Sequence, residues 1–322
     1  MLTLLSAVLI ILLLVSALML QKKADSDIVG AGTSEHALQK KDYLEYNGIR
    51  APLKRHLKTL LIMGTDKFNP DQEDVSDLFY NYQQADFQTV LVFDQDAKTC
   101  TPIQINRDTM CDVYWLSVNG KVGGTKFCQI ALSHTYGSGK EDSCVNSRNT
   151  LSSLIFDAPI DHYISFTMDT VRVLNDLVGG VEVVVPDNAI AYADPDFTVG
   201  NRVLLLGDQA LKFVRTRDTG LDASNIDRMA HQQAYLAGFL PAARECYAAQ
   251  EDFTLRAYDA LTPYMVTDMT INDLSEAAKM LSEYEILPIV SPKGELKLGT
   301  KFAEFYVDRN SLWDLVKAAY CS

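Results

Sequence analysis

Two short apolar runs constrain the fold of this chain more than any other feature of its sequence. Residues 59–63 read Thr-Leu-Leu-Ile-Met and end at Gly64, and residues 89–93 read Thr-Val-Leu-Val-Phe and end at an Asp-Gln-Asp turn. The apolar residues are consecutive rather than alternating, which is typical of strands that are buried on both faces. The two runs therefore predict neighbouring strands inside a sheet that is covered on both sides.

Strand and helix patterns alternate along the rest of the chain. Val171, Leu174 and Leu177 recur at helical spacing before Gly179-Gly180, and residues 181–185 form a β-branched run that stops at Pro186. Further strands are predicted at 102–105, 162–166, 286–290 and 303–307, and further helices at 125–136, 146–156, 206–213, 224–248, 253–263, 271–283 and 310–320. This alternation predicts an α/β fold, with a layered α-β-α domain around a central mixed sheet.

The N-terminus differs from everything that follows. Residues 1–20 carry no charge, and a helix of about 20 residues spans the roughly 30 Å core of a bilayer. This pattern predicts a single transmembrane anchor. A cleaved signal peptide is the alternative, although no small-x-small cleavage site follows. Residues 21–56 are polar and predict a linker or stalk, so the folded domain is expected over 57–322.

Charge and cysteine content exclude some classes of function. The net charge is −13 over 322 residues, which argues against nucleic acid as a partner because phosphate backbones need a basic surface. Six cysteines occur, all after the apolar N-terminus and without a CxxC pair, so zinc and thioredoxin-like sites are disfavoured. Disulfide bonds and free buried thiols both remain open, and about 15 pairings of six cysteines are possible.

Acidic residues lie at the ends of the two predicted central strands. Asp66 follows the first strand and Asp86 precedes the second. Carboxylates at strand ends of an α/β sheet often lie in the ligand crevice, where they could hold Mg²⁺ together with phosphate oxygens. Arg107 and Asp108 follow the strand at 102–105, either as an ordinary ion pair or as a phosphate ligand that the acid orients.

Basic residues cluster later in the chain. If Arg215-Thr216-Arg217 is extended, both guanidinium groups point to one side, which suits a diphosphate. Arg228 and Gln232 are four residues apart on a predicted helix and therefore share a face. Each signal taken alone is also typical of solvated surface.

The order of these motifs is specific. The chain contains, in sequence order, residues 60–66 (LLIMGTD), 84–86 (QAD), 105–109 (INRDT), 131–137, 159–163 (PIDHY), 179–183 (GGVEV), 206–211 (LGDQAL), 214–217 (VRTR) and 228–232. This series resembles the LytR-CpsA-Psr family from about Lys58 to the C-terminus. Gln129 departs from the family pattern, because a lysine is common at its place.

The resemblance implies a function. Family members are anchored by one N-terminal helix, with the catalytic domain outside the membrane, and move a glycopolymer from a polyprenyl pyrophosphate carrier to a peptidoglycan hydroxyl. Here Lys22 and Lys23 after the apolar segment favour the opposite orientation by charge alone.

The resemblance also implies roles for individual residues. Mg²⁺ is expected on Asp66 and Asp86, and Asp108 is expected to orient Arg107. The pyrophosphate is expected to bind Arg107, Arg215, Arg217, Arg228 and Gln232, with Arg107, Asp108 and Arg217 catalytic. Alternatives are a lipid pyrophosphatase, whose site would look the same, and a non-catalytic membrane regulator that binds prenyl phosphates.

Overall fold

The computed structural model describes residues 41–65, 83–117, 121–216, 224–250, 252–299 and 302–322. The strands are β1 (Tyr43–Tyr46), β2 (Ile49–Pro52), β3 (Leu57–Thr65), β4 (Ala85–Asp94), β5 (Thr99–Ile105), β6 (Met110–Leu116), β7 (Val122–Gln129), β8 (His162–Thr167), β9 (Val181–Val184), β10 (Arg202–Leu205), β11 (Met265–Thr267), β12 (Glu285–Ile286), β13 (Gly294–Leu298) and β14 (Ala303–Val307). The helices are α1 (Glu141–Leu154), α2 (Asp169–Leu177), α3 (Asp208–Arg215), α4 (Ser224–Ala249), α5 (Phe253–Leu261), α6 (Ile271–Glu283) and α7 (Arg309–Tyr320).

A six-stranded mixed sheet lies at the centre, in the order β11-β8-β3-β4-β5-β12. The β3 strand is parallel to β8 and antiparallel to β4, and β4 is antiparallel to β5. In the described residues, four antiparallel strand pairs accompany this sheet: β1–β2, β6–β7, β9–β10 and β13–β14. The predicted α/β fold with a central mixed sheet is confirmed.

The two apolar runs are buried on both faces, as predicted. Leu60 and Ile62 face one hydrophobic core, which α2, α4, α5 and α6 complete. Leu61 and Met63 face a second core on the other side of the sheet, where α1 and α7 pack. Because side chains alternate across a strand, a continuous apolar run supplies both cores. The protein therefore has the expected three layers.

The predicted helix over 125–136 is wrong. Residues up to Gln129 belong to β7, which pairs with β6, and a short 3₁₀ helix follows at Ile130–His134. Gly123 and Gly124 lie inside β7 and have low helix propensity. Pairing with β6, which was not predicted, decides the conformation of this segment.

The β1–β2 hairpin lies within the segment that was predicted to be a linker. Leu44 of β1 and Ala51 of β2 are buried, and Leu53 forms a β-bridge with Cys321 after α7. Residues 43–52 thus pack against the folded domain. The predicted anchor at 1–20 lies outside the described residues, and among the described helices none has both the length and the apolar character that crossing a bilayer requires.

Candidate functional site

Three strand ends meet at one edge of the central sheet. Thr65, the last residue of β3, lies opposite Ala85, the first residue of β4. Ile105, the last residue of β5, lies opposite Gln88. Because β4 is antiparallel to both neighbours, its beginning adjoins their ends. Asp86 and Arg107 therefore reach the same edge although they come from different strands.

The carboxylate of Asp86 bridges two arginines at this edge. Arg107 Nη1 donates to Asp86 Oδ1, and Arg228 Nη1 of α4 donates to Asp86 Oδ2 at 3.0 Å. Arg107 Nη2 also donates to the side-chain oxygen of Gln84. The side chains are only 9% (Arg107), 4% (Arg228) and 11% (Asp86) exposed. Two guanidinium groups that are distant in sequence are thus held together in a buried position.

The turn after β5 holds Arg107 in place. Asn106 Oδ1 accepts the backbone N–H of Asp108 at 2.9 Å, and the carbonyl of Arg107 accepts the N–H of Ala131 at 3.1 Å. Arg107 Nε lies 3.5 Å from Asp108 Oδ1 and makes no hydrogen bond to any described residue, although it is buried. A buried guanidinium N–H without an acceptor is suited to an anionic oxygen of a ligand.

Asp108 is held by a residue that the sequence pattern did not assign to the site. Gln129 Nε2 donates to Asp108 Oδ1 at 2.9 Å and to the carbonyl of Ala303 at 2.7 Å. The amide thus joins the Arg107–Asp108 turn to β14. Gln129, noted in the sequence only as a departure from the family pattern, is therefore a neutral partner of Asp108.

Gln232 lies one helical turn after Arg228 on α4, and both side chains are buried. His231 between them is fully buried, with Nε2 3.1 Å from Asp187 Oδ1. Burial lowers the pKa of His231, because desolvation outweighs the attraction of Asp187. The predicted shared helix face of Arg228 and Gln232 is therefore found, and it faces the interior.

Arg215 does not have the conformation on which its prediction depended. It is the last residue of α3, is exposed, and is followed by Thr216, whose N–H bonds back to Lys212 at 3.0 Å. Helix formation extends two residues beyond the predicted end at 213, so the alternating geometry of a strand does not apply to Arg215. Arg217 and Asp66 lie outside the described residues.

The structure therefore brings together Asp86, Arg107, Asp108 and Arg228, with Gln232 one turn away. Two partners, Gln84 and Gln129, were missed as site residues. Gln84 stands immediately before the strand that carries Asp86, within the same three-residue motif. This position in the sequence could have identified Gln84 as a site residue, because a side chain so close to the Asp86 carboxylate lies in the same surroundings.

Whether this edge of the sheet suits Mg²⁺ depends on the ligand atoms that its side chains offer. No group of three or more His, Cys, Asp or Glu side chains with metal-site spacing occurs within the described part of the chain. Each Asp86 oxygen accepts one guanidinium N–H, which leaves about two of its four lone-pair sites. Mg²⁺ commonly binds one or two carboxylates and completes its shell with waters and phosphate oxygens. Asp86 keeps lone pairs for one such bond, and Asp66, the other expected ligand, lies outside the described residues.

Comparisons with known proteins agree with this architecture. A model of the LytR_cpsA_psr family matches residues 22–309. The polyisoprenyl-teichoic acid–peptidoglycan teichoic acid transferase TagU of Enterococcus faecalis is 26% identical over 186 residues, which are 56% of this chain and 54% of the relative. TagU of Halalkalibacterium halodurans is 28% identical over 136 residues, 42% of this chain and 39% of the relative. The alignments thus span about half or less of these relatives.

Solved structures share the fold. The protein gbs0355 of Streptococcus agalactiae superposes with a TM-score of 0.61 at 18% identity, over 82% of this chain and 87% of that chain. TagT bound to LI-WTA superposes with a TM-score of 0.59 at 16% identity, over 82% and 89% of the two chains. At these identities the likeness concerns the fold alone.

Proposed function

Because this chain belongs to the LytR-CpsA-Psr family, we propose that it transfers a glycopolymer from a polyprenyl pyrophosphate carrier to a hydroxyl of peptidoglycan. The observation that carries the proposal is the Asp86 carboxylate shared by Arg107 and Arg228. The relatives of Enterococcus faecalis and Halalkalibacterium halodurans are named as transferases of teichoic acid to peptidoglycan, which supports the same reaction class.

The arginines are the proposed pyrophosphate ligands. Each guanidinium presents several N–H groups in a planar fork, which suits the many oxygens of a diphosphate. Gln232, Arg215 and Arg217 are proposed to complete the binding of the diphosphate.

The proposed reaction is a substitution at phosphorus. The acceptor hydroxyl oxygen forms a bond to the polymer-side phosphorus, the bridging P–O bond breaks, and polyprenyl phosphate leaves. The hydroxyl proton passes to the departing phosphate or to water. Negative charge builds on the phosphoryl oxygens, and arginines that are already in position stabilise it without further rearrangement. Asp108 is proposed to keep Arg107 oriented, since its carboxylate lies beside Arg107 Nε.

Mg²⁺ and the location of the domain belong to the same proposal. Asp86 and Asp66 are proposed to hold Mg²⁺, which when bound neutralises charge on the pyrophosphate oxygens. Because peptidoglycan lies outside the cytoplasmic membrane, we place the folded domain there, with residues 1–20 as its anchor.

A reconstituted assay tests the proposal. The full chain in detergent is mixed with a lipid pyrophosphate-linked glycopolymer, Mg²⁺ and peptidoglycan, and polymer that stays covalently bound after boiling in detergent is measured. We expect attachment that requires both the acceptor and Mg²⁺. Release of free polymer at the same rate without peptidoglycan would show hydrolysis instead, and tight lipid binding without turnover would contradict both reactions.

Arg148 supplies a matched control for the arginines of the site. Its guanidinium also pairs with an aspartate, with Nη1 3.2 Å from Asp268 Oδ2, but Asp268 contacts the beginning of β8, whereas the site lies where β8 ends. Arg148→Ala is expected to retain attachment, whereas Arg107→Ala is expected to lose it. If both variants lost attachment equally, the activity would not depend specifically on the proposed site.

A further inference from the structure

Two cysteines face each other across the β6–β7 hairpin. In the antiparallel register Cys111 lies directly opposite Cys128, and both side chains are buried on the same face, where they contribute to one hydrophobic core. Opposite residues of antiparallel strands have Cα atoms about 4.5–5.5 Å apart, which is within the range of disulfide bonds. Bringing the Cβ atoms to disulfide spacing requires a movement of about 1 Å.

The other cysteines do not have this arrangement in the described strands and helices. Cys100 lies opposite Phe93 and Ile286 in the central sheet. Cys144 lies 3.7 Å from His134 Nε2, and Cys246 and Cys321 contact backbone carbonyls. The strand register therefore singles out Cys111 and Cys128 as the pair that is placed to form a disulfide bond.

We propose that Cys111 and Cys128 form a disulfide bond when the protein is exposed to a thiol–disulfide exchange oxidant. One cysteine thiolate attacks the disulfide of the oxidant and releases one of its sulfurs as a thiolate. The second cysteine then attacks the mixed disulfide and releases the other. Two cysteine thiols and one oxidant disulfide thus give one protein disulfide and two small thiols, which take up the two protons.

The proposed disulfide bond lies next to the candidate site in the sequence. Cys111 follows the Arg107–Asp108 turn by a few residues, and Cys128 immediately precedes Gln129, which donates to Asp108. The disulfide therefore closes the hairpin at the end that carries these contacts. It is expected to fix the Gln129–Asp108 spacing, and it is independent of whether the transfer reaction takes place.

Burial affects the rate of this reaction. It raises the pKa of Cys111 to about 12 and also raises the pKa of Cys128, so few thiolates form in the folded protein. We therefore expect oxidation to be slow in the native state and faster in dilute urea, where the hairpin opens.

Peptide mapping tests the pairing directly. Lys121 and Lys126 lie between the two cysteines, so trypsin places them in separate peptides, 108–121 and 127–140. The full chain is incubated with glutathione disulfide in dilute urea, its remaining thiols are alkylated in strong denaturant, and the digest is analysed with and without reduction. We expect one species that contains both peptides and is lost on reduction. Alkylation of both cysteines, or linkage of either one to another cysteine, would overturn the proposal.

Thermal unfolding gives a second measurement. Reduction is expected to lower the unfolding midpoint of the oxidised protein by roughly 5 °C, because the bond restricts the unfolded chain. The double variant Cys111→Ala/Cys128→Ala should show no effect of reductant, whereas Cys246→Ser should keep it. If reductant lowered the unfolding midpoint of the double variant equally, a disulfide between Cys111 and Cys128 could not be the cause of the shift.

Discussion

The two ends of β8 have similar ionic clusters but different surroundings. Near the end of β8, Asp86 bridges two arginines. At its beginning, Asp268 lies 3.2 Å from Arg148 and 3.5 Å from His162. Each cluster thus joins one carboxylate to two basic side chains from other elements. Sequence composition alone does not distinguish them.

Burial and backbone contacts separate the two clusters. Asp268 is 27% exposed and accepts the backbone N–H of Tyr163 at 2.9 Å, so its carboxylate fixes the main chain of β8. Asp86 is 11% exposed, and the described hydrogen bonds of its carboxylate are with the side chains of Arg107 and Arg228. Burying charges costs several kcal/mol per ion before their attraction offsets it. The described contacts of the Asp86 carboxylate fit the proposed ligand site, whereas the Asp268 carboxylate has a structural role at the beginning of β8.

The largest effect is expected for Asp86→Asn. This change keeps the shape of the side chain but leaves two buried guanidinium groups without their carboxylate. We expect a loss of about 3–5 kcal/mol in the free energy of unfolding, measured by urea denaturation. Pyrophosphate should recover part of that stability, because it supplies the missing negative charge.

Asp268→Asn serves as the control for this rescue by pyrophosphate. Its cluster lies at the other end of β8, so the anion is not expected to stabilise that variant. Equal stabilisation of both variants by pyrophosphate would mean that the anion acts on the whole surface rather than on the proposed site.

Arg228→Ala is expected to have the next largest effect. It removes one of the two guanidinium groups that stabilise the developing charge, and the transfer rate should fall about 10²- to 10³-fold. Arg228→Lys keeps the charge but not the planar fork, so it should recover only part of the rate. The reconstituted attachment assay measures both variants. A lysine variant as active as the parent would show that charge alone is sufficient at this position.

The sequence predicted the central sheet because burial leaves a local signal. Continuous apolar residues at 59–63 and 89–93 allow few alternatives, and both segments are strands with two buried faces. The β6–β7 hairpin has no such signal. Phe127 is 56% exposed and two glycines interrupt β7, so only the pairing with β6 defines it. Long-range pairing is not encoded in a local periodicity.

The candidate site shows the same limit. Asp86, Arg107 and Arg228 were predicted because each belongs to a motif whose order is typical of the family. The contact of Gln129 with Asp108 was not predictable, because it depends on a β-strand that was expected to be a helix. The position of Arg215 likewise depended on where α3 ends, and helix ends are the least certain part of such predictions.

A smaller effect is expected for Asp268→Asn in the absence of ligand. The asparagine oxygen can still accept the Tyr163 N–H, so only the interactions with Arg148 and His162 are weakened. Because this cluster is partly exposed, the cost should be about 1 kcal/mol in urea denaturation. Transfer activity should remain within about twofold of the parent. A loss of activity comparable with that of Arg228→Ala would remove the distinction between the two clusters.

The smallest effect is a pH dependence that comes from His162. The Asp268 carboxylate, 3.5 Å from Nδ1, raises the pKa of His162 above the ordinary value of 6.5, against the opposing effect of burial. The folded protein then holds this proton more tightly than the unfolded chain. The stabilisation is therefore complete below pH 6.5 and is lost as the pH rises through the folded pKa.

We expect the stability of the parent to exceed that of His162→Gln by up to about 1 kcal/mol at pH 5.5, and this difference should shrink at pH 8.5. Urea denaturation of both proteins at several pH values measures the difference, so contributions from His134 and His231, whose pKa values are lowered by burial, cancel. A difference that grows with pH would mean that Asp268 acts on His162 through its neutral form.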